Sequence, residues 1–179
     1  MKKAFVSVMN PKMNGFLSIL EKALEQLPNN PKPICEGFYL TEHDCTENIT
    51  IIEEIGYVPK EKDSKYRHFS AKKVTQTLFF QKMRSKEFEN EELEQYPGAV
   101  KYRNWCVGVS GHESMIDEAI STLWAIAKTV REGKWSEDFS IRDYGVIKEM
   151  AELFQLNYAP DNQWITIIVR LMENLCDKD

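Results

Sequence analysis

The residues best suited to chemistry stand together in the sequence Gly108-Val109-Ser110-Gly111-His112. The apolar residues 105–109 predict a strand and the residues from about 112 onward predict a helix, so the glycines form a tight corner between the two. Such a corner leaves backbone N–H groups without helical partners, and the helix dipole favours negative charge at the same point. The corner therefore predicts a site for an anion such as a carboxylate.

A purely structural interpretation of the same corner stays open. In that interpretation the glycines only permit the tight turn, and a carboxylate of the chain itself takes the N–H groups. Ser110 and Glu113 have the spacing of a capping box, in which the Ser side chain accepts a hydrogen bond from the backbone three residues on and the Glu side chain reaches back. A serine nucleophile is not favoured, because the second glycine is misplaced for a Gly-x-Ser-x-Gly elbow.

The chain has three histidines, so any imidazole ligand has to come from them. His68 precedes the predicted helix that carries Thr75 and is the best candidate for a group facing a pocket. The other two are predicted to lie on the surface, in a turn and at a helix start. A zinc site would need two histidines and two cysteines together, namely His43, Cys45, Cys106 and His112. No pair among them has the spacing of known zinc ligands, so no metal site is predicted.

Two helices are predicted to flank the corner. The helix that follows it has one continuous apolar stripe, made of Ile116, Ala119, Ile120, Leu123, Ala127 and Val130. Upstream, residues 69–83 predict a helix that begins after Ser70 as N-cap, with Ala71, Val74 and Leu78 on one face. The acidic residues 85–96 predict a mobile linker between that helix and the strand.

The rest of the chain predicts a small sheet and further helices. Strands are predicted over residues 3–9, 34–41 and 49–58, with a polar turn at 42–48 and a solvated loop at 59–65. Helices are predicted from residue 14 or 18, from Ser140, which is capped with Asp143, and from Asp161. The sum is an α+β fold, a small and mostly antiparallel sheet flanked by helices. We expect residues 1–135 to form this sheet-and-helix domain, and residues 136–179 to form a C-terminal helical pair packed on the same domain.

Four short motifs carry a resemblance to a known family. Gly98-Ala99-Val100 stands at a turn before the strand, Gly108-Val109-Ser110-Gly111 ends the strand, Asp117-Glu118-Ala119 opens the helix, and Lys72 and Thr75 lie on the upstream helix. In these motifs, and most closely over residues 97–119, the sequence resembles the GlcG/HbpS-like family. That family is often described as haem-degrading and is also found as the C-terminal part of cobalamin adenosyltransferases.

The resemblance implies a profilin-like fold, frequent oligomerisation and binding of haem or another small molecule. The implied pocket lies between the helix at 69–83 and the corner at 108–111, and its candidate ligand-binding residues are His68, Lys72, Thr75, Gly108, Ser110, Gly111 and His112. The sequence departs from the family in three places, of which the first is that the family's glycine pair is reduced to Gly98 alone. Glu42-His43-Asp44-Cys45 replaces an Asp-x-Gly-Gly turn, and the chain continues for two helices after the family's last one.

Composition narrows the classes of function. The net charge is −5 and no Lys/Arg cluster is interleaved with aromatic residues, so no nucleic-acid partner is expected. No apolar run approaches the roughly 18 residues of a membrane helix, so no membrane partner is expected either. The N-terminal residues lack the apolar region of a signal peptide and the four cysteines form no Cys-x-x-Cys pair. We therefore expect a cytoplasmic protein with reduced thiols.

Three hypotheses of function follow from the sequence. The first is a small-molecule-binding protein, a homo-oligomer whose ligand is haem, another tetrapyrrole or another anionic compound, with no catalytic residue assigned. The second is an acidic protein-interaction module, similar to an immunity protein or an antitoxin, supported by the negative charge and the acidic run at 87–94. The third is a metal hydrolase built on the histidines and cysteines.

Overall fold

A computed structural model describes residues 13–28, 36–132 and 139–176, and these residues form four strands and five α-helices. The strands are β1 (Phe38–Asp44), β2 (Ile49–Ile55), β3 (Ala99–Tyr102) and β4 (Trp105–Ser110). The helices are α1 (Asn14–Glu25), α2 (Lys60–Phe79), α3 (Ser114–Arg131), α4 (Ile141–Tyr158) and α5 (Trp164–Cys176). The predicted α+β class, with a small antiparallel sheet flanked by helices and further helices at the C-terminal end, is confirmed. The predicted strand at 3–9 and the predicted domain boundary after residue 135 lie outside the described residues.

The sheet has the strand order β2-β1-β4-β3 with every neighbouring pair antiparallel. In the central pair, Leu40 stands opposite Val109 and Thr41 stands opposite Gly108. Because successive residues of a strand point to opposite faces, one face of this pair is apolar except for the buried Glu42, and the other carries small and polar groups. The two faces are covered by different helices.

The apolar face packs against α3, which is the most buried helix of the fold. Its predicted stripe is confirmed, since the side chains at 116, 119, 120, 123 and 127 are all buried. The helices α1, α4 and α5 complete this core around α3, and α5 contacts both α1 and α3. The largest fully buried side chains of the core are Trp124, Phe16 and Phe154.

The turn between α4 and α5 is tied to α3 by a buried group of polar side chains, which we call the Arg84 clasp. Oε1 of Glu118 accepts hydrogen bonds from Nη2 and Nε of Arg84, at 2.7 and 3.1 Å, and from Nδ2 of Asn162 at 3.0 Å. Arg84 also donates to the carbonyl of Tyr158 and pairs with Asp161, both at 2.9 Å. The clasp therefore connects the segment after α2, helix α3 and the C-terminal helices.

The polar face of the sheet is covered by α2. Its buried residues are Ser70, Lys73, Val74 and Thr77. The Ser70 hydroxyl lies 2.9 Å from the Thr41 hydroxyl of β1. The predicted loop at 59–65 is wrong, because α2 already begins after Pro59, whose fixed φ suits a helix start, and the first turns are polar only because they face solvent. The predicted helix at 69–83 is correct in type, but it begins at Lys60 and ends at Phe79.

Gly108 allows α2 to lie unusually close to β4. A Cβ atom at this position would stand 2.7 Å from the carbonyl oxygen of Ser70 and 2.8 Å from Cγ2 of Val74. Both atoms belong to α2, and the nearer one is backbone. The glycine is therefore required by packing at this position.

Replacing Gly108 with alanine is expected to lower the free energy of unfolding by about 1–3 kcal/mol, because the methyl group must push α2 away from the sheet. Urea denaturation followed by circular dichroism measures the effect. Gly145→Ala is the matched control, since Gly145 lies within α4 and an added Cβ meets nothing within 4 Å. Alanine there is expected to raise stability by up to about 1 kcal/mol. Equal losses in the two variants would contradict the close packing of α2.

Other predicted boundaries also change. The turn predicted at 42–48 shortens, because β1 continues to Asp44 and the chain reverses through Asn48 with a φ of 55°. The acidic residues 85–96 are not a linker without structure, since they contain two short 3-10 turns, Ser85–Phe88 and Glu91–Leu93. Strand β3 was not predicted. The capping box of Ser140 with Asp143 is confirmed, whereas α5 begins at Trp164 rather than after Asp161.

No helix in the described ranges is both long and apolar enough to cross a membrane.

Candidate functional site

A cavity of about 530 Å³ lies between α2 and the corner that joins β4 to α3. Its volume is within the range that small-molecule sites occupy. One part of its wall is aromatic and consists of Tyr66, Phe69 and Tyr96. The rest of the wall is mostly polar and includes Lys73, His112 and Asp117. The cavity is therefore suited to a compound that has both a flat apolar part and a polar group.

The polar wall is a connected cluster of three side chains. Nζ of Lys73 donates to the Val109 carbonyl at 2.8 Å and to Oδ2 of Asp117 at 3.2 Å. Oδ1 of Asp117 accepts from the backbone N–H of His112 at 2.9 Å and lies 3.3 Å from Nδ1 of the same residue. The side chains of Lys73, Asp117 and His112 are only 5, 3 and 7 % exposed. Three titratable groups are thus held together beneath a cavity.

Asp117 is the centre of this cluster. Burial by itself would raise the pKa of Asp117, but the charge of Lys73 and the hydrogen bonds from His112 outweigh burial and lower that pKa. The carboxylate also lies in the first turn of α3, where the helix dipole favours a negative charge. Asp117 is therefore ionised at neutral pH and balances the buried ammonium of Lys73.

The anion that the backbone N–H groups of the glycine corner bind is a carboxylate of the chain itself, that of Asp117. The N–H of Gly111 donates to Oδ2 of Asp117 at 3.4 Å, in addition to the N–H of His112 that reaches Oδ1. The predicted capping box of Ser110 and Glu113 is wrong, because α3 begins only at Ser114 and its N-cap Glu113 makes no side-chain capping bond. The carboxylate of Asp117, four residues further along, takes the place predicted for Glu113.

Gly98 makes room for the buried lysine. It has a φ of 125°, and a Cβ atom there would lie 2.5 Å from Nζ of Lys73 and 3.0 Å from Cβ of Asp117. A side chain at this position would therefore displace the ammonium from Asp117. The turn that the sequence resemblance singled out is in this structure a part of the site.

The aromatic wall is built from two segments far apart in sequence. Phe69 lies on α2, and Tyr96 follows the second 3-10 turn; their rings meet edge to face with centroids 5.4 Å apart. Glu94 also lines the cavity, and its carboxylate pairs with Nζ of Lys72 at 3.0 Å. The segment after α2 thus closes one side of the cavity.

The predicted site residues divide into two groups. Ser110, Gly111 and His112 line the cavity, whereas Gly108 lies beneath α2. Lys72, His68 and Thr75 are on α2 but outside the wall. His68 and Thr75 are exposed, and the Thr75 hydroxyl bonds to the Ala71 carbonyl. The structure therefore brings together the residues of the corner but not the three that were predicted on the helix.

The four histidines and cysteines considered for zinc do not meet. His43 belongs to β1, opposite Cys106, and its Nδ1 lies 2.8 Å from the Thr50 hydroxyl, so its predicted placement in a turn is wrong. Burial raises the pKa of the Cys106 thiol to about 12, which disfavours the thiolate that a metal needs. Within the described parts of the chain, no group of three or more His, Cys, Asp or Glu side chains could hold a metal ion.

Sequence reasoning missed most of the cavity wall. The missed residues are Lys65, Tyr66, Phe69, Lys73, Glu94, Tyr96, Ser114 and Asp117. A signal for Asp117 was present, because this charged residue lies between Ile116 and Ala119 on the buried side of α3. Buried charges beside a cavity are candidates for function, since structure alone rarely retains them.

No protein-family model, curated protein or solved structure matches this chain.

Proposed function

We propose that this protein binds a small molecule in the cavity between α2 and the β4–α3 corner. The observation that carries the proposal is the buried cluster of Lys73, Asp117 and His112 in the wall of that cavity. Burying such charges is costly, and replacing a buried ion pair by apolar side chains is often neutral or stabilising. A role in holding a ligand accounts for the placement of a buried ion pair, Lys73 with Asp117, in the wall of a cavity.

The proposed ligand is haem, another tetrapyrrole or another flat anionic compound. The aromatic side chains of Tyr66, Phe69 and Tyr96 offer ring faces and edges to a planar molecule. His112 supports the haem candidate, because a carboxylate that contacts one imidazole nitrogen orients the ring in the manner seen for metal-binding histidines. The resemblance to the GlcG/HbpS-like family suggests the same class of ligand.

Titration with haemin tests this proposal through the Soret absorbance. We expect a saturable, red-shifted band with one haemin per chain. Two matched pairs of variants locate the site: Phe69→Ala with Phe79→Ala, and His112→Ala with His68→Ala. The first variant of each pair changes the cavity wall, and the second changes the same residue type at an exposed position of α2, since Phe79 is 78 % exposed.

Loss of affinity of about 10-fold or more is expected for Phe69→Ala and His112→Ala, because each removes a group from the wall. The exposed controls are expected to bind haemin as the unchanged protein does. Equal affinity in all four variants would place the bound haemin elsewhere and overturn the proposed site. Absence of a saturable band would remove haem from the proposed class of ligands.

A second candidate function is the acidic protein-interaction module. The observation in its favour is a cluster of aromatic rings at the end of α2, where Phe80 lies 5.2 Å from Phe79 and 4.8 Å from Phe88 between ring centroids. Phe79 and Phe80 are exposed, and Phe88 stands between the exposed carboxylates of Glu87 and Glu89. A basic partner with an apolar patch matches this surface. Binding of a partner that weakens with salt and with Phe79→Ala, but not with Phe69→Ala, distinguishes this candidate from the first.

A further inference from the structure

The ammonium group of Lys73 has one hydrogen-bond donor more than the chain uses. An ammonium carries three N–H bonds, and Nζ makes two hydrogen bonds, to the Val109 carbonyl and to Asp117. Among the described residues, no further acceptor lies within hydrogen-bond distance of this atom. Lys73 is 4 % exposed overall and lines the cavity. A ligand oxygen in the cavity is therefore the natural partner for the third N–H bond.

The charges around the cavity favour an oxygen that is itself negatively charged. Lys65 and Lys73 line the wall together with Glu94 and Asp117, and Lys72 pairs with Glu94 from outside the wall. Lys72 thus neutralises Glu94 and Lys73 neutralises Asp117. The charge left over is that of the exposed Lys65, which has no carboxylate partner among the described residues. Hydrogen bonds to an ionised partner are roughly twice as strong as neutral ones, so a single carboxylate suits the third N–H bond best.

The aromatic wall indicates which chemical group the ligand carries beside its carboxylate. Tyr66 and Phe69 lie on the same helix as Lys73, two turns and one turn before it, and Tyr96 contacts Phe69. An aromatic ring attached to the carboxylate would meet these side chains in the same cavity. The carboxylate would have little competition from water, because the side chain of Lys73 is 5 % exposed. Ring stacking and a buried ionic hydrogen bond would then act on the same compound.

We infer that the cavity recognises the carboxylate of an aromatic carboxylic acid through Lys73. This inference rests on the proposed function and specifies its ligand class. Asp117 holds the ammonium in place through its contact with Nζ, and is therefore a positioning residue. The propionate groups of haem belong to the same chemical class, as do smaller aromatic acids that leave part of the cavity unfilled.

Binding of naphthalene-2-carboxylate, compared with naphthalene-2-carboxamide, tests the inference by isothermal titration calorimetry. The two probes have nearly the same shape, and the amide keeps the carbonyl but loses the charge. The unchanged protein is expected to bind the carboxylate about 10-fold or more tightly than the amide. The double variant Lys73→Met with Asp117→Asn is expected to bind the two probes equally.

The double variant avoids the buried, unpaired aspartate that Lys73→Met alone would leave. The introduced asparagine keeps one oxygen, which can accept from the N–H of His112 in place of Oδ1 of Asp117, and circular dichroism checks that the variant is folded. Lys82→Met is the matched control, because Lys82 is an exposed lysine beyond the end of α2 and is not among the residues that line the cavity. We expect this control to keep the preference for the carboxylate.

The outcomes separate this inference from the proposed function. Equal binding of both probes by the unchanged protein would show an aromatic site without carboxylate recognition, which overturns the inference and leaves the small-molecule site standing. Binding of haemin at the cavity without binding of either probe would also overturn the inference alone. Failure to bind haemin and both probes would overturn the proposed function as well. Retention of the preference in the double variant would exclude Lys73 as its source.

Discussion

Replacing Glu118 with alanine is expected to lower the free energy of unfolding by about 3–5 kcal/mol, because the change leaves a buried guanidinium without its closest partner. Glu118 is fully buried, and its Oε1 accepts three of the hydrogen bonds of the Arg84 clasp, two from Arg84 and one from Asn162. Without it, Arg84 keeps only the half-exposed Asp161 as a charged partner, and the amide of Asn162 keeps the Met115 carbonyl. Urea denaturation measures the loss. Hydrogen exchange is expected to show faster opening of α4 and α5 in particular, since the clasp holds the turn between them.

The control for this prediction is Glu152→Ala. Glu152 forms an ion pair with Arg170 at 2.8 Å on the outer surface of α4 and α5, where both side chains are more than a third exposed. Exposed pairs of this kind contribute about 0–1 kcal/mol. If the two alanine variants lose the same stability, the clasp does not connect the C-terminal helices to α3. A further comparison is Arg84→Met with Glu118→Leu, which removes both charges and is expected to recover most of the lost stability.

The sequence predicted the existence of α2, but the predicted buried face of this helix is shifted by one residue from the observed one. The predicted stripe followed the apolar residues Ala71, Val74 and Leu78, whereas the structure buries Ser70, Lys73, Val74 and Thr77. Apolar periodicity finds a helix face only when the opposing surface is apolar. Here α2 meets the polar face of the sheet, so hydroxyl groups and a lysine are buried. Lys72 was predicted in the site from the family resemblance, whereas its neighbour Lys73 is the lysine that lines the cavity.

The corner and α3 were predicted more fully because their signal is local. The apolar stripe of α3 faces an apolar side of the sheet, and the glycines mark the turn directly in the sequence. Which carboxylate would fill the corner was not predictable from spacing, because Glu113 and Asp117 both lie near the helix start. Burial decided between them: Glu113 is exposed, and Asp117 meets a lysine from another helix.

The aromatic wall of the cavity had no local signal. Phe69 and Tyr96 are 27 residues apart and approach each other only because the segment after α2 folds back along it. That segment is acidic and was therefore predicted to be a linker. Hydrogen bonds give this segment its defined conformation. The Glu87 side chain accepts from the backbone of Met83 and Arg84, and the Ser85 hydroxyl accepts from the N–H of Ala99. Contacts of this kind depend on the tertiary fold.

Replacing Asp117 with alanine is expected to lower the free energy of unfolding by about 3–5 kcal/mol and to abolish binding at the cavity. The change leaves the ammonium of Lys73 buried with only the Val109 carbonyl as acceptor, and it removes the acceptor of the N–H groups of Gly111 and His112. Urea denaturation at neutral pH measures the stability. The double variant Lys73→Met with Asp117→Asn is expected to be more stable than Asp117→Ala, because neither charge is then buried alone. A larger loss in the double variant would contradict this account of the cluster.

The pH dependence of stability gives an independent test of the Asp117 interaction. The pKa of Asp117 is lower in the folded protein than the value of about 3.9 in an unfolded chain. The unfolded state therefore binds the proton first as the pH falls, so the contribution of Asp117 is complete above about pH 5 and is lost between there and its lowered folded pKa. Acid titration of stability from pH 6 to pH 3 is expected to fall more steeply in the unchanged protein than in the double variant, which lacks this carboxylate. The other carboxylates are the same in both proteins, so the difference between the two curves reports Asp117 together with its contact to the His112 imidazole. Parallel curves would mean that Lys73 and Asp117 do not form a charged pair, and the assignment of a positioning role to Asp117 would fail with them.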